Sequence, residues 1–294
     1  MKFTRILFFL TLASLATVYA RTAQLLYLTE PKTGFFLTDS KPAALALSAF
    51  IAIAVVLSAV ITCFTRRNPA GAPDKALPPR IGAMVLAIAC LYEAVFVDYL
   101  SSASIVILLT RVSAVLAAAS LAFYIARFYS AAAAKISKFF YLPLLLFFAM
   151  RLVSTFTVYA TVSVIADNVF HIAFMCCALV FTLCLLKLEN GIMPGRSAYR
   201  LFPLGVATFM MGICCSIPQV ALLILNKPQL VHSETHSLLL PFATAVFAIC
   251  YTLSLYGKKN IIRRKRNTPK LESNTSYREM SGQFVSGTGK RRKK

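Results

Sequence analysis

The sequence predicts an all-α fold, a polytopic transmembrane bundle of about eight helices whose N-terminus and C-terminus both lie in the cytoplasm. Only 14% of the 294 residues are charged and the mean hydropathy is +0.73, whereas soluble domains carry roughly 25% charged residues. Several apolar runs reach the ~20 residues that a helix needs to cross hydrocarbon about 30 Å thick. These runs are continuous rather than alternating, and a helix satisfies its own backbone polar groups in lipid, so helices are the predicted spanning elements.

The first apolar run, residues 6–20, permits two interpretations. Val18 and Ala20 occupy the positions that small residues take before the cleavage site of a secretory signal peptide, and removal of this segment would leave seven helices. The apolar pattern resumes after Arg21 with AQLLYL, however, and would extend a spanning helix to about residue 28. The sequence therefore predicts a first helix near 6–28 that is either retained or cleaved after Ala20.

Seven further apolar runs complete the transmembrane domain, which is predicted to cover residues 1–257. Their predicted helices lie near residues 42–64, 81–100, 103–126, 139–162, 163–186, 201–225 and 237–256. The connections alternate between basic and nearly uncharged segments. With the N-terminus inside, cytoplasmic segments hold 25 of the 31 Lys and Arg residues and external segments hold four, as the positive-inside rule requires. The C-terminus is predicted to be cytoplasmic in either interpretation of the first helix.

Residues 258–294 form a basic tail of different composition. The tail carries 13 basic and 2 acidic residues and too few apolar side chains to bury a core, so it is predicted to be disordered in the cytoplasm. A basic segment beside a membrane attracts anionic lipid headgroups by about 1 kcal/mol per residue. The predicted contacts are Lys258, Lys259, Arg263, Arg264, Lys265 and Arg266. The alternative is that these charges only fix the topology. Nucleic-acid binding is not expected, because no aromatic stacking platform alternates with the charges.

One short segment resembles part of a known group of proteins. QLLYLTEPKTGFF (24–36) is similar to an LxYLxxPxTGFF element that follows the first helix in multi-pass membrane proteins of Firmicutes. The resemblance implies a bacterial plasma-membrane protein, and it implies no activity or functional residue. Pro31 and Gly34 predict a turn, and Phe35 and Phe36 suit the membrane interface, so the segment is predicted to be an external interfacial or re-entrant loop.

Catalytic and cofactor-binding signatures are absent from the sequence. It has no HExxH or GxSxG motif, and its eight cysteines show no metal-ligand spacing, so no catalytic residue and no cofactor are predicted. The loop VHSETH contains three potential ligands, His232, Glu234 and His236, whose spacing could hold Zn²⁺ or Cu²⁺ weakly at the external surface. A solvated polar loop is the alternative interpretation.

Polar residues inside the apolar runs are the main candidates for a functional site, because such groups are costly in lipid and usually face a bundle interior. They are Glu93, Asp98, Arg111, Arg151, Asp167, Asn168 and His171. Glu93 and Arg111 lie at equal distances from the centre of a predicted SSAS turn and therefore at equal depth. They are predicted to form an ion pair across the hairpin of the third and fourth helices.

The expected function is recognition or transport of a small polar or charged solute through the polar centre of the bundle. Structural stabilisation is an equally open interpretation of the same residues. A non-transporting membrane scaffold or sensor, with the basic tail as its cytoplasmic contact, is the alternative function, and a membrane enzyme comes third. The expected partners are the lipid bilayer, anionic lipid headgroups and a small solute.

Overall fold

The computed structural model describes residues 3–30, 34–63, 77–96, 105–127, 129, 141–159, 166–192, 194–230 and 238–256. The chain divides into two units, Met1–Gly257 and Lys258–Lys294. The second unit lies outside the described residues, as do the connections between the described ranges.

The first unit is an all-α bundle, which confirms the predicted fold class. Its helices are α1 (Phe3–Tyr27), α2 (Lys41–Cys63), α3 (Leu77–Phe96), α4 (Ile105–Ala126), α5 (Tyr141–Tyr159), α6 (Ala166–Glu189), α7 (Pro194–Ile224) and α8 (Leu239–Tyr256). In the described part of the chain, six helices are long and apolar enough to cross a membrane, and α5 and α8 contain shorter apolar stretches. This is the architecture of a multi-pass membrane protein.

The outer surface of the bundle is apolar. Ile53 on α2 and Ile105 and Leu108 on α4 are each more than 60% exposed, at 64%, 76% and 64%. Contiguous apolar surface of this kind is rare on a soluble monomer and suits contact with lipid. The surface therefore agrees with the membrane environment that the composition predicts.

Two helices begin earlier than the apolar runs predict. α7 begins at Pro194 rather than near 201, and α3 begins at Leu77 rather than near 81. Hydropathy marks only the part of a helix that lies in hydrocarbon, whereas the helical backbone continues beyond it. Proline suits the first turn of a helix, where its missing N–H has no intrahelical acceptor to lose. Pro194 and the pair Pro78 and Pro79 occupy such positions.

Six helices pack in a closed ring. Along the ring α3 contacts α4, α4 contacts α5, and the series continues through α6 and α7 to α8, which packs back against α3. The interior of the ring is filled by a continuous apolar core whose largest buried side chains include Phe147, Phe148, Phe174 and Phe247. α1 and α2 pack against each other and against α7. The N-terminal helices therefore attach to the ring through α7.

Glycines set the close approach of α8 to its two neighbours. A Cβ atom on Gly212 of α7 would lie 2.6 Å from the carbonyl oxygen of Pro241, and one on Gly82 of α3 would lie 2.8 Å from the Cα atom of Phe247. Both distances are shorter than van der Waals contact. Small residues commonly allow such backbone contact between membrane helices.

α1 passes through the potential cleavage position without interruption. Ala20 and Arg21 are both buried, and Ile6 and Leu10 belong to the main apolar core. Cleavage after Ala20 would divide this helix and remove its two core residues. Retention and cleavage of the first helix both stay predictions.

The described residues on either side of positions 31–33, between α1 and α2, are joined by backbone hydrogen bonds. The amide of Leu37 donates to the carbonyl of Leu28 at 3.0 Å, and the amide of Glu30 donates to the carbonyl of Phe35 at 2.8 Å. Gly34 has a φ of 72°, a left-handed conformation that glycine adopts without steric cost. The predicted turn at Gly34 is thus confirmed, while Pro31 lies outside the described residues.

Candidate functional site

A buried arginine near the end of α1 organises the most polar region of the described structure. The Nη2 atom of Arg21 donates to Oδ1 of Asp167, the second residue of α6, and forms a salt bridge with it. The Nη1 atom of Arg21 donates to Oε1 of Gln24, one turn further along α1. The guanidinium also lies over the ring of Phe170, 4.3 Å from its centroid. Arg21 is only 2% exposed, so its charge is held by these partners rather than by solvent.

Gln24 extends the polar network to α2. Its Nε2 atom donates to the carbonyl oxygen of Ala44 and to Oγ of Ser48, both at 2.8 Å. The hydroxyl of Ser48 in turn donates to the carbonyl of Ala44 at 3.0 Å. One continuous set of hydrogen bonds therefore joins α1, α2 and α6. Satisfied networks of this kind hold helices in a unique arrangement where water is absent.

A small cavity of about 20 Å³ lies beside Arg21. Its polar lining residues are Arg21, Asp167, Asn168, His171 and Gln219. Asn168 is only 7% exposed, and its Nδ2 atom has no hydrogen-bond partner within the described ranges. A buried amide normally has a partner, because leaving one unsatisfied costs about 1–3 kcal/mol. The cavity thus presents polar atoms, including an unsatisfied amide, to a space large enough for a small polar group.

A second ion pair lies between α3 and α5. The Nη2 atom of Arg151 is 3.4 Å from Oε2 of Glu93, and the two side chains are 8% and 1% exposed. Arg151 also interacts electrostatically with His171, which lines the cavity. α3 and α4 pack together as the predicted hairpin requires, and the Glu93–Arg111 pair itself stays a prediction.

The structure brings some of the predicted site residues together. Asp167, Asn168 and His171 share the cavity, and Glu93 and Arg151 form the adjacent pair. Arg111 lies on α4. The remaining predicted residues lie outside the described part of the chain: Asp98, His232, Glu234, His236, Lys258, Lys259, Arg263, Arg264, Lys265 and Arg266. Over the described ranges, no group of three His, Cys, Asp or Glu side chains could hold a metal ion.

Arg21, Gln24 and Gln219 were not among the predicted site residues. Arg21 counts among the four basic residues of the external segments, because the first apolar run ends at residue 20. The available signal was the spacing of Arg21 and Gln24, three residues apart, which places both on one face when the helix continues. Gln219, next to Pro218 in α7, had no comparable signal.

A third polar cluster lies at the opposite end of α6. Arg127, directly after α4, forms two hydrogen bonds of 2.8 and 3.2 Å with the carboxylate of Glu189. The hydroxyl of Tyr251 on α8 donates to the same carboxylate at 2.7 Å, and the guanidinium of Arg127 lies 4.3 Å from the ring centroid of Tyr124. Two-pronged arginine–carboxylate contacts are strong and directional. This cluster ties α4, α6 and α8 together across the ring.

Comparison with protein-family models, with curated proteins and with solved structures found no match.

Proposed function

We propose that this membrane protein recognises a small polar or charged solute at the cavity beside Arg21 and Asp167. The observation that carries the proposal is the buried amide of Asn168, whose nitrogen has no hydrogen-bond partner in the described structure. It lines the same cavity as a buried ion pair and His171. Intramembrane polar groups that face a cavity commonly bind a substrate or ion.

The size of the cavity limits what it can hold. About 10–15 Å³ is needed for one water molecule, and the cavity has about 20 Å³. A solute would therefore insert a single hydrogen-bonding or charged group, such as a carboxylate, an amide or an ammonium group. A larger solute would require the helices around the cavity to separate.

Recognition is favoured over passage by the interior of the ring. The aromatic core fills the space between the six helices, and the Arg127–Glu189–Tyr251 cluster connects helices from different sides of the ring. Passage of a solute would require these contacts to break. A protein that binds a solute and signals its presence would not need to break these contacts.

The test is solute-dependent thermal stabilisation of the purified protein across a panel of small carboxylates, amides and amines. A solute that binds the folded state at 100 times its Kd adds about 2.7 kcal/mol of stability, which is readily detected as a rise in Tm. We expect at least one solute to raise the Tm of the unmodified protein. Asn168→Leu, which keeps the branched shape of the side chain but removes the amide, should abolish that rise.

Ser113→Ala is the matched control. Ser113 is also buried in a transmembrane helix, but its hydroxyl donates to the carbonyl of Thr110 in its own helix and it is not among the residues that line the cavity. Its response to the solute should equal that of the unmodified protein. A stabilisation that persists unchanged in Asn168→Leu, or the absence of any stabilising solute, would count against recognition at this cavity.

We also propose that the protein resides in a bacterial plasma membrane with both termini in the cytoplasm. The resemblance of residues 24–36 and the distribution of basic residues support this location and orientation. The orientation places the tail 258–294 beside the anionic lipid of the inner leaflet. A reporter that works only in the cytoplasm should be active when fused within 65–80 or after Gly257 and silent within 227–236. Activity within 227–236 would contradict the orientation.

A further inference from the structure

An apolar groove lies on the lipid-facing side of the bundle, apart from the solute cavity. It has a volume of about 700 Å³ and runs between α2 and α6. Ala49, Ala52 and Val56 of α2 line one side, and Val169 and Ala173 of α6 line the other. The volume falls within the ~300–1,000 Å³ typical of ligand sites. Phe170 lines both the groove and the solute cavity, so one aromatic ring lies at the boundary of the two.

The described lining of the groove offers no unmet polar contact to an occupant. Ser48, its one hydroxyl-bearing lining residue, already donates to the carbonyl of Ala44 and accepts from Gln24. A polar solute would lose its hydration in this groove without gaining hydrogen bonds. A hydrocarbon chain forms no hydrogen bonds with water and therefore has none to lose in this groove. The occupant that the lining favours is therefore a lipid acyl chain.

The end of the groove near Phe35 and Phe36 is polar and has both positively and negatively charged residues. A second depression, of about 480 Å³, shares Phe35, Phe36 and Leu45 with the groove. Its other lining residues include Glu30 and Lys41, which carry opposite charges. Lys41 is exposed and has no ion-pair partner within the described ranges. The charged depression therefore continues into the apolar groove. A phospholipid has the same order of parts, a charged headgroup followed by apolar acyl chains.

We propose that this surface binds one zwitterionic glycerophospholipid of the phosphatidylethanolamine class. Lys41 faces its phosphate, Glu30 faces its primary ammonium group, and one acyl chain lies in the groove between α2 and α6. The pairing of opposite charges at the rim favours a headgroup that carries both charges over an anionic headgroup such as phosphatidylglycerol. This site is independent of the proposed solute cavity, and its occupancy does not depend on the solute.

The natural absence of tryptophan makes the proposal directly measurable. Val56→Trp places a fluorophore on the groove, and Ala119→Trp places one at a similar depth on the exposed side of α4. Each position lies about 21–23 Å along its helix from the first residue. Each protein is reconstituted in phosphatidylglycerol vesicles that contain a small fraction of phosphatidylethanolamine with brominated acyl chains, which quench a tryptophan that they contact.

The expected result is stronger quenching of Val56→Trp than of Ala119→Trp at the same fraction of brominated phosphatidylethanolamine. Brominated phosphatidylglycerol should quench Val56→Trp less. When Lys41→Gln is added to the Val56→Trp protein, the preferential quenching by phosphatidylethanolamine should weaken about fivefold. This factor corresponds to the ~1 kcal/mol that one basic residue contributes at a lipid surface. Glu30→Gln should reduce the preference for phosphatidylethanolamine over phosphatidylglycerol. Lys227→Gln, at another exposed lysine, should change neither the quenching of Val56→Trp nor the preference between the two lipids.

A second variant keeps the test informative about the groove itself. Ala49→Phe adds volume to the groove lining and should bring the quenching of Val56→Trp down to the level of Ala119→Trp. Equal quenching of the two tryptophans in the otherwise unmodified protein would overturn the proposal. So would equal quenching of Val56→Trp by the two brominated lipids. The solute-dependent Tm should be the same in Lys41→Gln as in the unmodified protein, which keeps this result separate from the solute test.

Discussion

Two ion pairs beside the proposed site hold charged side chains away from solvent. Arg21 and Asp167 are 2% and 8% exposed, and Arg151 and Glu93 are 8% and 1% exposed. Removing one member of a buried pair typically costs about 3–5 kcal/mol, because the other charge is left without compensation. Removing both members also removes that uncompensated charge. The double substitution is therefore expected to be milder than either single one.

The Glu93–Arg151 pair allows a direct prediction. Glu93→Gln and Arg151→Met should each lower the free energy of unfolding by about 3–5 kcal/mol, and the double variant should recover most of the loss. Thermal melting of the purified proteins in one detergent measures the three differences. If the double variant shows the sum of the two single losses, the residues act independently and the contact at 3.4 Å is not a stabilising ion pair.

Arg111→Met is the matched comparison, because Arg111 is the partner of Glu93 that the sequence predicts. Arg111→Met makes the same arginine-to-methionine change as Arg151→Met, but on α4, which also packs against α3. Recovery of stability in Glu93→Gln combined with Arg111→Met would establish the hairpin pair as a further contact of Glu93. Recovery in the Arg151 combination alone would assign Glu93 to α5.

At the scale of helices, the sequence predicts the number and order of elements well. The thickness of hydrocarbon imposes a minimum apolar length on every spanning helix, so each one leaves a visible run. The start of α7 is different. Its first turns, from Pro194, run through a polar and basic stretch outside that apolar run, and helical structure there has no hydropathy signal. The first helix was ambiguous for a related reason, because a signal peptide and a spanning helix share an apolar run.

The candidate site was predictable only in part. Asp167, Asn168 and His171 are conspicuous because they interrupt an apolar run, and they do share a cavity. Their partner Arg21 lies 146 residues before Asp167. Which helices meet, and how each is rotated about its axis, follows from side-chain packing that a linear pattern does not contain. For the same reason, the contact of Glu93 with Arg151, which comes from a third helix, was not predicted, and the pair of Glu93 with Arg111 stays a prediction.

At the scale of the whole transmembrane unit, the polar residues are distributed according to the packing of the helices. The six-helix ring contains two cross-links of charged side chains, Glu93–Arg151 and the Arg127–Glu189–Tyr251 cluster. The Arg21 network instead joins the ring to the α1 and α2 pair, and the proposed solute cavity lies at that junction. Movement of α1 and α2 against the ring would therefore change the shape of the cavity. This is a simple route by which a bound solute could alter the conformation of the protein.

Arg21 and Asp167 form a buried pair that lines the cavity, and a double-mutant cycle on this pair measures their coupling. Arg21→Met, Asp167→Asn and the double variant are compared by thermal melting, with Lys187→Met as the control, because Lys187 is an exposed charge on α6. We predict that each single change lowers stability by about 3–5 kcal/mol, that the double variant loses less than the sum, and that Lys187→Met changes little. Losses in the double variant that equal the sum of the single losses would contradict the pair, and with it the cavity as the recognition site.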